Sequence, residues 1–170
     1  MLIIAWVIFV KIYLKRDKSS DNSRYIVMDE SGYQLFTVCG KFKRNSEHLY
    51  IMRDELCVAK IRDTSLSLLR SCHIKTDSDD FRIMIASNQT KTAITYHGVN
   101  FHIRGNVTIK SYDILDVDNT VIACIQKRFN TADETLELNI NNDKNLLSCI
   151  ASAVCLNSKS TNDVLALQTI

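Results

Sequence analysis

Residues 142–156 read NDKNLLSCIASAVCL. Leu146, Leu147, Cys149, Ile150, Ala151, Ala153, Val154, Cys155 and Leu156 cover nearly the whole circumference of a helical wheel, and only Ser148 and Ser152 interrupt it. A helix apolar all round belongs in a core or a membrane. About four turns are too short to span a bilayer, which requires about 20 residues. The segment therefore predicts a buried central helix, N-capped by Asn142 or Asp143. Its surroundings must supply a continuous apolar lining.

Upstream the chain reads as strands. Short runs rich in Ile, Val, Tyr, Phe and Thr recur at close intervals, at 3–14, 24–29, 34–39, 47–53, 56–62, 67–76, 81–86, 91–96, 99–104, 108–115, 119–127 and 133–140. The punctuation between them (DESG, RNSE, TDSDD, SNQT, GN, DVDN, NTAD) is turn chemistry. Alternation within 107–113 predicts one face of Val107, Ile109, Ser111 and Asp113, and another of Thr108, Lys110 and Tyr112.

An internal repeat links these runs. Tyr25-Ile-Val-Met-Asp29 precedes a turn and Leu35-Phe-Thr-Val, closing on Gly40-Lys41-Phe42. Tyr112-Asp-Ile-Leu-Asp116 precedes a turn and Val121-Ile-Ala-Cys-Ile, closing on Lys127-Arg-Phe129; Tyr50 to Asp54 and Cys57 to Ile61 form a shorter third copy. Each reads as an antiparallel hairpin with an aspartate at its corner, because Asp can bond its own backbone through a turn. Twelve strands ending in one apolar helix predict a mainly β chain: an antiparallel barrel closed around that helix, without exposed edges.

Composition agrees. Of 170 residues, 46% are hydrophobic and 24% charged, which excludes a disordered chain. A net charge of +2 argues against a dedicated nucleic-acid binder. Six cysteines without any CxxC spacing exclude a zinc ribbon, and their apolar contexts predict buried, reduced thiols in a cytoplasmic setting. Residues 1–16 include the apolar run LIIAWVIFV (2–10), which is either the first strand or a membrane-associating segment backed by Lys11, Lys15, Arg16 and Lys18. Domain bounds of 1–156 follow, with 157–170 as an extension.

The order and spacing of YIVMDESGYQLFTVCGKF (25–42), VAKIRDTSLSLLRSCHI (58–74), FHIRGN with YDILDVDNTVIACIQKRF (101–129) and TLELNINNDKNLLSCIASAVCL (135–156) resemble the LURP-one-related family. That family shares its architecture with the carboxy-terminal domain of tubby-like proteins and with phospholipid scramblases. The resemblance implies a tubby-like, twelve-stranded barrel threaded by the C-terminal helix. It also implies a non-enzymatic module, because the family mostly lacks a demonstrated activity. Its tubby relatives bind phosphatidylinositol bisphosphate through basic residues on the outer face, and scramblases act at membranes. Arg128 stands where the family often carries Trp.

Catalytic and metal signatures are absent. The four histidines show no HxH or HExxH; His97 and His102, if on one strand, face opposite sides. Asp116-x-Asp118-Asn119 and Asp77-x-Asp79-Asp80 lack the later Gly and Glu of a calcium loop and read as turns. No G-x-S-x-G, G-x-G-x-x-G or P-loop occurs, so no cofactor is expected. The basic residues have a mechanism. Residues 1–62 carry 11 Lys/Arg against 7 Asp/Glu, and residues 63–170 carry 10 against 12. Lys41, Lys43 and Arg44 close one repeat, and Lys127 and Arg128 close another. Such a cluster suits an anionic phospholipid or phosphoinositide headgroup. The alternative is a soluble structural domain with a protein partner and no small ligand.

Overall fold

Most hairpin corners among the described residues are short and polar, which favours the pairing of consecutive strands. The computed structural model describes residues 9–19, 23–43, 46–66, 68–88, 90–129 and 133–157. It contains twelve strands: β1 (Val10–Arg16), β2 (Ser23–Asp29), β3 (Gln34–Lys43), β4 (Ser46–Arg53), β5 (Leu56–Leu66), β6 (Leu69–Thr76), β7 (Asp80–Ser87), β8 (Thr92–His97), β9 (His102–Asn106), β10 (Ser111–Leu115), β11 (Val121–Lys127) and β12 (Thr135–Ile140). A 3-10 turn (Asp143–Asn145) leads into α1 (Leu146–Asn157). One antiparallel sheet runs β8-β7-β6-β5-β4-β3-β2-β1-β12-β11-β10-β9 and curls into a nearly closed barrel around α1.

Two hairpin corners are the same device. Asp29 accepts from the amides of Ser31 and Tyr33, at 2.9 Å each. Asp116 accepts from the amides of Asp118 and Thr120, at 2.9 and 3.0 Å. Each corner places a left-handed residue three positions on, Gly32 (φ 86°) and Asn119 (φ 61°). The third copy turns differently, with Asp54 itself at φ 52°.

Inward-facing residues alternate along the strands, as in Ile12 and Leu14, Leu49 and Ile51, or Leu136, Leu138 and Ile140, and all are at most 2% exposed. Residues 148–156 of α1 are buried without exception. The two serines that interrupt its apolar surface are both satisfied: Ser148 Oγ donates to Asp79 at 2.5 Å, and Ser152 Oγ donates to the Ser148 carbonyl at 2.8 Å. Asn142 caps the preceding 3-10 turn by accepting from the Asn145 amide. The helix thus starts four residues later than its cap, which the sequence pattern did not distinguish.

Three expectations need correction. Residues 107–110 form a turn, not the start of a strand. The Asn106 side chain accepts from the Thr108 and Ile109 amides, and Lys110 adopts φ 58°. The sheet also keeps two edges, because no ladder joins β8 to β9 among the described residues. Phe101, in the connection between them, packs its ring against Tyr96 and Phe81, at 5.7 and 6.4 Å. Finally, all six cysteines are free, but only Cys72, Cys149 and Cys155 are buried. Cys39 and Cys124 sit at outward positions of their strands, beside the inward Val38, Ala123 and Ile125. Residues 1–8 of the apolar start lie outside the described residues, and β1 runs Val10–Arg16.

Candidate functional site

In an antiparallel sheet, strands separated by an even number of steps run the same way. β3, β1 and β11 therefore finish at one end of the barrel. Lys41 and Lys43 belong to the end of β3, and Lys127 ends β11, with Arg128 following it. β2, β1 and β12 lie between the two groups, so they share an end of the barrel but not a neighbouring strand. Arg44 lies outside the described residues.

Around Lys127 the structure gathers further cations. Lys127 donates its amide to the carbonyl of Lys110, whose left-handed turn points the chain back toward β11. The Lys110 ammonium meets Glu134, which also lies 3.7 Å from Arg16. Burial, followed by the charges of Lys127 and Arg16, holds Lys110 below the usual lysine range. Lys15 and Lys18 share Asp133, at 3.1 and 3.7 Å, and the Lys15 hydrogen bond leads in holding that carboxyl below its ordinary range. Arg128 points away along the wall, where it bonds Glu137 at 2.7 Å and stacks over Tyr13 at 5.2 Å. Lys110 is the member that the sequence reading missed, because a strand assignment sent it to a sheet face.

The opposite end is acidic. The corners joining β2 to β3, β4 to β5, β6 to β7 and β10 to β11 carry Asp29, Asp54, Asp79 and Asp116. Charge is therefore segregated along the barrel axis.

At the basic end the barrel mouth holds a buried ion pair. Arg70 Nε lies 2.9 and 3.0 Å from the two oxygens of Asp63, and its Nη2 also meets that carboxylate. Asp63 is 1% exposed. Burial works against the Arg70 charge, but the hydrogen bonds to Asp63 prevail and raise its pKa. Elsewhere, the two aspartate runs that begin like calcium loops serve as turns. No group of three or more His, Cys, Asp and Glu is placed to hold a metal among the described residues. No described helix is long and apolar enough to cross a membrane, which leaves strands unaddressed.

The LURP-one-related family profile matches residues 10–157, the span from β1 through α1. The chain belongs to the LURP-one-related family. The barrel is similar to the X-ray structure of a protein from Arabidopsis thaliana, with a TM-score of 0.54 and 14% identity. The match covers 89% of this chain and 93% of that one. That likeness concerns the fold alone. No curated protein is matched by sequence. As a LURP-one-related protein, the chain is a tubby-like barrel module.

Proposed function

We propose that this LURP-one-related barrel is a non-enzymatic module that binds anionic phospholipid headgroups at a membrane surface. The observation that carries this reading is the axial segregation of charge, which would turn the Lys41, Lys43 and Lys127 end toward an anionic leaflet and the aspartate corners away from it. Lys110 supports the reading locally. Its ammonium meets Glu134, with Lys127 and Arg16 nearby, so the site holds more cations than carboxylates and a phosphate would add charge-assisted hydrogen bonds there. The tubby relatives' use of basic residues for phosphatidylinositol bisphosphate points the same way.

The test is co-sedimentation of the full chain with vesicles of phosphatidylcholine alone, with phosphatidylserine, and with phosphoinositide, across a salt series. Binding should need the anionic lipid and weaken with salt. Replacing Lys41, Lys43 and Lys127 together by serine should weaken it roughly a hundredfold, about fivefold per residue. Unchanged binding by that variant would overturn the reading. Removing residues 1–8 leaves β1 whole and separates the apolar start from the barrel. Removing 1–16 would delete a central strand and test nothing but folding.

A further inference from the structure

The outer wall of β4 to β8 carries a second cationic surface, built from residues far apart in sequence. Direct cross-strand partners form one continuous row: His48 opposite Arg62, Arg62 opposite His73, His73 opposite Arg82, and Arg82 opposite His97. All five alternate with inward-facing residues such as Leu49, Ile61, Ile74, Ile83 and Tyr96, so the row faces out. Lys41 on β3 continues its register beside His48. In the adjoining row, Lys60 stands directly opposite Lys75.

Like charges in direct register are destabilising in a sheet. Several outward cations elsewhere on the barrel have counter-charges: Lys11 meets Glu30 and Glu137, Arg104 meets Asp113, and Arg128 meets Glu137, whereas the carboxylate in register on this wall is Asp80, opposite Lys75. On this wall, Lys60, Arg62, Lys75 and Arg82 are exposed and join no ion pair among the described residues. The exception is instructive. Asp80 bonds His73 Nε2 at 2.6 Å, and that bond, aided by the charges of His73, Lys75 and Arg82, outweighs burial and leaves its carboxyl below the ordinary range. The chain itself thus shows how a carboxylate sits on the row. It does so in an open depression of about 550 Å³ lined by His73, Asp80, Arg82, Met84, His97 and Gly98.

We propose that this wall docks an extended, carboxylate-rich segment of a partner protein, and that the three histidines make the docking tighten as pH falls. Neighbouring strands lie about 4.8 Å apart, so the row spans about 19 Å. It runs around five of the twelve strands, so a flat bilayer touches only a few of its members, whereas a flexible chain follows the curve. A single-stranded nucleic acid would need rings to stack on. The flanking positions Ser46, Thr64, Ser71, Met84 and Thr95 carry no ring, and beyond the three imidazoles of the row itself the adjoining row of described residues adds Tyr50 beside Lys60, Lys75 and Asp80. A second copy of this wall would bring the same charges together and repel.

Histidine is the side chain whose charge changes between about pH 5 and 8. The charged groups facing the three histidines from neighbouring strands are Arg62 for His48, with Lys41 at the paired register position on β3, Arg62, Arg82 and Asp80 for His73, and Arg82 for His97, whose depression Asp80 also lines. Asp80 bonds His73, whereas the cross-strand partners of His48 and His97 in this register are arginines.

The experiment is fluorescence anisotropy with a labelled deca-aspartate peptide and the full chain at low salt, at about pH 8 and about pH 6. Aspartate stays ionised over that range. Affinity should rise at least about fivefold at the lower pH. Arg62→Ser with Arg82→Ser should reduce peptide binding at least about tenfold at both pH values. His48→Asn, His73→Asn and His97→Asn together should abolish the pH response. Absent peptide binding, pH-independent binding, or unchanged binding by the arginine variant would each overturn the proposal. So would a loss of phosphatidylserine-vesicle or oligothymidine binding by the arginine variant with peptide binding intact. All five positions are on the outer face, and a thermal melt of each variant confirms that the fold is kept.

Discussion

Asp63 and Arg70 face each other across β5 and β6 at the barrel mouth, joined by a bidentate ion pair with the carboxylate 1% exposed. Charged groups this deep in a barrel are tolerated only as partners. Arg70→Leu should therefore destabilise the chain by about 3–5 kcal/mol, because it strands the carboxylate. Arg70→Leu with Asp63→Leu should lose markedly less than either single change. Urea unfolding of the two single variants and the double variant measures the coupling. Additive losses would show that the pair is not a unit.

The Asp29 corner makes an acid limb. Its hydrogen bond from Ser31 leads in holding the folded carboxyl below the ordinary value of about 3.9. A depressed folded pKa contributes stability that is present above the unfolded value and lost as pH falls through the folded one. The thermal midpoint should fall as pH drops below about 4, and Asp29→Asn should flatten part of that fall while lowering the midpoint at neutral pH. A midpoint profile with the same acid limb in both proteins would refute the assignment.

Ala151 is completely buried at the centre of α1. Ala151→Asp places an unpaired charge inside the barrel, which costs several kcal/mol and should prevent soluble expression. Ile150→Ala, a milder probe at the same depth, should cost about 2–5 kcal/mol in urea unfolding. A soluble, cooperatively unfolding Ala151→Asp protein would contradict a helix enclosed by the sheet.

Gly105 on β9 adopts φ 112°, and a Cβ there would lie 2.7 Å from the Ser111 carbonyl oxygen and 2.9 Å from Tyr112 Cα. Both obstacles are backbone, so they cannot swing aside. Gly105→Ala should cost about 1–3 kcal/mol, read as a lower denaturation midpoint with an unchanged slope.

The strands and the helix were legible in the sequence because each carries its own local signature. Alternation gives Leu136, Leu138 and Ile140 an inside, and Asp29 and Asp116 announce their corners by standing where a strand must reverse. The basic end was legible only in part. Lys127 is readable as the close of a repeat, but Lys110 enters the cluster through an αL turn fixed by the Asn106 side chain, and turn geometry leaves little trace in hydropathy. The histidine–arginine row was not legible at all. His48, Arg62, His73, Arg82 and His97 meet through the register of four separate strand pairs, and register is a property of the assembled sheet. The residual edges at β8 and β9 escaped for the same reason.

The six free thiols give this barrel an internal clock. Burial pushes Cys149 up to about 12 and Cys155 well above its normal range, so neither offers a reactive thiolate while the sheet is closed. Cys39 and Cys57, partly exposed, should be consumed first by a thiol reagent. Cys149 and Cys155 can be modified only when α1 leaves its enclosure, so their slow alkylation rate under native conditions reads the opening of the whole barrel. Mass spectrometry of the α1 peptide at intervals would give that rate without any denaturant, and without altering a residue.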